Sequence, residues 1–89
     1  SLQAIMRDNR GEKPEELITK IDKLQKEISP KGEALQKILF QKSNLYFRLK
    51  NMEKAESILR EAMRAAPDSE TGKRIPGILE RFFPTKKAS

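Results

Sequence analysis

The chain has 89 residues and is 36% hydrophobic, 36% charged and 6% aromatic, with nineteen Lys and Arg against thirteen Asp and Glu for a formal net charge of +6. It contains no cysteine and no histidine, which excludes disulfides, thiol chemistry and the common zinc sites and leaves no imidazole for general-base work near neutral pH. A chain this short makes one small domain that buries about 60–65% of its unfolded surface, and so few aromatics suit helices with one apolar face better than a sandwich with two.

The charge is uneven. Residues 1–30 carry six basic and six acidic side chains, residues 31–69 eight and five, and residues 70–89 five and two. An excess in the last two thirds favours an acidic peptide, nucleic acid or another anionic surface as partner. No apolar run reaches the eighteen or so residues of a membrane span, and the N-terminus lacks a signal-peptide layout. We expect an intracellular protein, cytoplasmic or nuclear, with no membrane partner; starting at Ser1 rather than methionine, it reads as a piece of something larger.

In chain order, "SLQAIMRDN" predicts a short helix over about 2–9, with Leu2, Ile5 and Met6 on one side and Gly11 beyond its end. "PEELITKIDKLQKEI" predicts an amphipathic helix over 14–28: Pro14 suits the first turn, Glu15 and Glu16 favour the positive end of the dipole, and Leu17, Ile21, Leu24 and Ile28 repeat at helical spacing. Ser29 and Pro30 are expected to cap and begin the next helix, about 31–50. That helix carries Leu35, Ile38, Leu39, Phe40, Leu45, Tyr46, Phe47 and Leu49, more than one stripe can hold, so two of its faces must be covered.

A short break at 50–52 leads into a helix over 53–66 whose thin stripe, Ala55, Leu59 and Ala62, invites close approach and which stops at Pro67. In the following segment Gly72, Pro76 and Gly77 interrupt any long helix. A short capping helix over 77–83 is expected to close the stack with Ile78, Leu79, Phe82 and Phe83, leaving 84–89 as a flexible basic tail. No segment alternates with period two, so strands are not expected. The fold class is therefore all-α: antiparallel helical hairpins with flanking capping helices, in one domain over 1–83.

"QKILFQKSNLYFRLKNMEKAESILREAMRAAPDS", residues 36–69, resembles a single tetratricopeptide repeat. Leu39 stands at the large first-helix position, Ser43 at the small site where the helices touch and Tyr46 at the aromatic site; Ala55, Leu59, Ala62 and Pro67 follow at the positions of the second helix. Two residues depart from the pattern. Lys42 replaces a usual leucine, and Lys50 replaces the turn glycine, where a side chain forces a less comfortable backbone.

The resemblance implies that the first helix lines a groove for a peptide or another helix, which makes this an adaptor or scaffold module. Its groove-facing positions are here Lys37, Phe40, Asn44 and Phe47, with Arg48 at the edge. A basic strip with two phenylalanines fits an acidic peptide with apolar anchors. The alternative is that Phe40 and Phe47 are covered by helix 14–28 or by the C-terminal segment. Some members of the family hold a chaperone's terminal carboxylate with lysine and asparagine; Asn44 matches, but Phe40 occupies the lysine site, which disfavours that ligand.

The tail offers another reading. "PGILERFFPTKK" resembles the sliding-clamp-binding box of replication and repair proteins, with Leu79, Phe82 and Phe83 as the apolar anchors and Lys86 and Lys87 as the basic flank. Pro76 takes the place of the box's glutamine.

Catalysis is the least supported class. No pair of acids lies in an apolar setting that would perturb its pKa, and the glycines form no phosphate loop. We assign no catalytic residue, metal or cofactor. Nucleic-acid binding is the alternative, through Lys37, Lys42, Arg48 and Lys50 with Phe40 and Phe47 as stacking rings. One repeat is short of the roughly three that solenoids need, so stabilisation by the flanking helices, by self-association or by a parent protein is expected.

Overall fold

Pro14 fixes the first turn of the first helix that the computed structural model describes, with Glu15 and Glu16 beside it at the positive end of the helix. Residues 13–83 are described; the helix expected over 2–9 and the tail over 84–89 lie outside them. Four helices follow in order: α1 (Pro14–Ile28), α2 (Gly32–Arg48), α3 (Met52–Ala65) and α4 (Glu70–Phe82). There is no strand among the described residues.

Ser29 does not cap the second helix as expected. The ring of Pro30 disfavours a right-handed helical residue before it, and Ser29 ends α1 instead, in the left-handed region at φ 44° with its N–H donated to Gln25 O at 3.0 Å. The chain then runs extended through Lys31, and α2 begins at Gly32, whose φ of 61° a glycine adopts without strain. The apolar stripe of α1 also differs from the expected one. Leu17, Ile18 and Ile21 are buried, whereas Ile28 is exposed. The first turn of α2 offers Ile28 only Gly32, Glu33 and Ala34, and Leu35 packs on the opposite side of α2.

Both apolar faces of α2 are covered. Ile38 and Leu45 pack with Leu17, Ile18 and Ile21 of α1, while Leu39 packs with Ile58, Leu59 and Ala62 of α3 and Ile75 and Leu79 of α4. Tyr46 touches both clusters. Lys42, at the position that departs from the leucine pattern, faces α1: its Nζ lies 2.6 Å from Asp22 Oδ1 and donates to Gln25 Oε1 at 3.2 Å.

The tightest contact lies where the alanine stripe predicts it. Ser43, Ala55 and Ala62 are 4%, 1% and 0% exposed, which places the small side chains between α2 and α3. Ser43 Oγ donates to Phe40 O at 2.9 Å, so the buried hydroxyl is satisfied within its own helix. In the turn, Lys50 adopts φ 64°, the strained conformation expected for a residue replacing glycine. Its N–H donates to Phe47 O at 2.9 Å and that of Asn51 to Tyr46 O at 3.0 Å, the paired bonds by which a left-handed residue closes a helix C-terminus. Asn51 then opens α3, its side-chain oxygen accepting from Lys54 N at 3.3 Å.

The last helix corrects the reading of the C-terminal segment. It starts at Glu70 rather than 77 and carries Pro76 in its interior. Ser69 caps it, its hydroxyl oxygen accepting from Gly72 N at 2.9 Å. Gly72 is required by proximity: a Cβ there would collide with the Ala66 carbonyl oxygen and lie 2.9 Å from the Pro67 carbonyl. An interior proline costs about 3 kcal/mol. Ile75 and Leu79, on either side of Pro76, are both buried, and at about 1.5–3 kcal/mol each their burial outweighs that cost.

A buried amide joins the three C-terminal helices. Gln36, near the start of α2, is 1% exposed. Its Nε2 donates to Ala62 O and Ala66 O, each at 2.9 Å, and its Oε1 accepts from Ser69 Oγ. One side chain thus satisfies two carbonyls at the end of α3 and orients the cap of α4. It also fixes the direction of packing, since the start of α2 lies against the end of α3 and the two helices run antiparallel.

Candidate functional site

Helix periodicity assigns the outer face of α2. Phe40, Asn44 and Phe47 recur at spacings of four and three residues and fall on one side, between the faces turned to α1 and α3. On α4, Ile78 and Phe82 are four apart and face the same way. Between these walls lies an open groove of about 260 Å³ whose floor is Ser43 with Ala55 and Leu59 of α3, and whose walls are Phe40, Asn44 and Phe47 opposite Ile78, Phe82 and Phe83. The small residues that let α2 and α3 approach therefore also hollow out the floor.

The end of the groove at the C-termini of α2 and α4 is aromatic. The Phe47 ring stands edge-on to Phe82 at 5.6 Å between centroids and to Phe83 at 6.0 Å, with interplanar angles of 74° and 81°, an arrangement favoured by the ring quadrupoles. Phe47 and Phe82 are nonetheless 37% and 52% exposed. Met52, another exposed large hydrophobic residue, lies one turn before Ala55 on the same side of α3. Two of the four exposed large hydrophobic side chains of the described residues, Phe47 and Phe82, thus line the groove.

Of the strip expected on α2, the half-buried Phe40 and the exposed Asn44 and Phe47 line the groove, whereas Lys37 and Arg48 are exposed but are not among its lining residues. Of the two arrangements open for Phe40 and Phe47, neither holds alone: α4 covers part of the strip and adds rings of its own. The tail residues are divided. Leu79 is 6% exposed and belongs to the core, Phe83 is half-buried against it, and Phe82 alone of the three is well exposed. Leu79 can act as an anchor for a partner's pocket only if α4 leaves the core. Lys86 and Lys87 lie outside the described residues. Lys42, expected on a basic surface, is instead turned to α1 and paired with Asp22.

Sequence reasoning did not single out Arg74 and Arg81, exposed on α4 one turn to either side of Ile78, and it left the meeting of Phe47 with Phe82 and Phe83 as one of two ways in which the strip could be covered. The signal that would have found them is the apolar spacing Ile75, Ile78, Leu79, Phe82, which continues through Pro76.

No group of three or more His, Cys, Asp or Glu among the described residues could hold a metal ion. No described helix is long and apolar enough to cross a membrane. The chain matches no family model, no curated protein and no solved structure.

Proposed function

We propose that this chain is a protein-interaction module of tetratricopeptide-like arrangement, an adaptor or scaffold piece that takes a peptide or helix of another protein in the groove between α2 and α4. The observation that supports it most is the exposure of Phe47 and Phe82 at the mouth of a formed cavity. Large apolar side chains held rigidly in a concave, partly desolvated setting are the usual energetic centre of a protein interface. Lys37 and Arg48 on α2 supply charge for steering an acidic partner and fixing its register.

Affinity capture with the 89-residue chain, compared with Phe47→Ala and Phe82→Ala, tests the reading. Each substitution removes an exposed ring and leaves the buried clusters intact, so folding should persist while partner binding falls by about thirtyfold or more, the loss of a hot-spot residue. Retention of full binding by both variants would refute a groove-based interaction.

A further inference from the structure

We infer that the aromatic end of the groove receives one bulky apolar side chain from a segment that carries acidic residues on both sides of that anchor, read by Arg48 on α2 and Arg81 on α4. This rests on the interaction reading above and names the occupant. The size of the cavity comes first. About 260 Å³ falls below the roughly 300–1,000 Å³ of sites that enclose a drug-sized ligand or cofactor. It holds one large side chain and leaves the rest of the segment on the rim.

The charges on that rim are not equivalent. On α2, Lys37 has Glu33 four residues before it on the same face, and on α4, Arg74 has Glu70 in the same relation, so each cation has an acid within a helical turn although neither closes an ion pair among the described residues. Arg48 and Arg81 have no acid three or four residues away on their own helices; Glu80, next to Arg81 in sequence, lines a separate hollow with Arg60 and Met63 of α3. Neither arginine forms an ion pair among the described residues. Both are exposed and stand next in sequence to Phe47 and Phe82, the two rings that meet at the aromatic end, although neither arginine is among the residues that line the cavity. An apolar anchor seated between those rings therefore has an exposed cation next in sequence to each of them, without an acid one turn away on its own helix.

A second copy of the chain is a poor occupant. The protein carries a net charge of +6, and its exposed Ile28 and Met52 each have an acidic neighbour, Glu27 or Glu53, on one side only. Nucleic acid would meet the same cations and could stack a base on the exposed rings, but the lining, apolar apart from Ser43 and Asn44, offers little to the polar edge of a base. Both remain outcomes of the test.

The experiment is fluorescence-anisotropy titration of the full chain with labelled synthetic peptides. The reference has a central Phe or Leu flanked on each side by two Glu; three others replace the central residue with Ala, the acids of one flank with Gln, or all acids with Gln. Arg48→Gln and Arg81→Gln are titrated in parallel. Each arginine lies in the last turn of its helix and complements the dipole there, so a thermal melt of each variant accompanies its titration. The reference peptide should bind best and lose about tenfold on replacing the central residue. Neutralising one flank should cost several-fold, and one arginine variant, already weakened, should be insensitive to that flank while the other remains sensitive.

Equal binding of the acidic and fully neutral peptides, abolished by Phe47→Ala, would overturn the acidic occupant and leave the groove reading standing. Binding of the reference peptide unaffected by Phe47→Ala and Phe82→Ala would overturn both. Tighter binding of a single-stranded oligonucleotide, or self-association that Phe82→Ala abolishes, would likewise replace the occupant inferred here.

Discussion

Gln36 and Ser69, thirty-three residues apart, are joined by a hydrogen bond from the serine hydroxyl to the glutamine carbonyl oxygen. Through it the N-terminal part of α2 sets the start of α4, because the same hydroxyl oxygen accepts from Gly72 N. The other end of the amide holds Ala62 O and Ala66 O. Replacing Gln36 by Leu leaves the Ala62 carbonyl without its side-chain donor, whereas Ala66 O still accepts from Ser69 N at 3.2 Å and from Ser69 Oγ at 3.0 Å; an unsatisfied buried carbonyl costs about 1–3 kcal/mol. We expect Gln36→Leu to destabilise by about 1–3 kcal/mol in urea unfolding, and Ser69→Ala by about 1 kcal/mol as a lost cap. A Gln36→Leu variant as stable as the parent would show the amide to be dispensable.

The two glycines of α4 should respond in opposite directions. Gly72→Ala meets the Ala66 and Pro67 carbonyls, whereas a Cβ at Gly77 has nothing within 4 Å. Thermal melts should show Gly72→Ala destabilised by about 2 kcal/mol or more, since backbone must move. Gly77→Ala should gain up to about 1 kcal/mol from helix propensity.

Lys50 holds φ 64° in the turn between α2 and α3. A left-handed conformation costs a side-chain-bearing residue about 1–2 kcal/mol, part of which glycine returns as lost entropy of its own. Lys50→Gly is expected to stabilise by about 0.5–1 kcal/mol, and to raise the melting temperature by a few degrees. A fall in melting temperature would mean that the lysine side chain holds the turn in some other way.

Lys42 joins α1 to α2 through Asp22, whose side chain is half exposed. Such pairs contribute at most about 1 kcal/mol, and salt weakens them. Lys42→Met keeps the stem's packing and removes the charge, so stability should change by less than about 1 kcal/mol while its dependence on salt declines. A larger loss would place the pair among the main ties of the fold.

Local patterning carried much of this architecture. The stripe of Ala55, Leu59 and Ala62 with Ser43 is legible because small residues at helical spacing have few uses other than close packing, and the overloaded α2 announced two covered faces. Lys50 in place of glycine foretold a positive φ. Other features depended on contacts distant in sequence. Pro76 and Gly72 read as breakers, and only the burial of Ile75 and Leu79 and the crowding at Ala66 explain why the helix runs through them. A lone glutamine reads as surface, so Gln36 gave no sign of its place. The groove was half legible: the α2 strip stood out, but that Phe82 and Phe83 meet Phe47 follows from where α4 docks.

The division of the interior between two clusters that share the single helix α2 also shapes how the molecule opens. Helix α1 holds on through Leu17, Ile18 and Ile21 and the Lys42 pair, while the other three are bound together by a larger cluster and the Gln36 amide. Amide protons along α1 should then exchange with solvent through a partial opening of lower energy than global unfolding, so the N-terminal rod can lift away and return while the aromatic cleft beyond it keeps its shape.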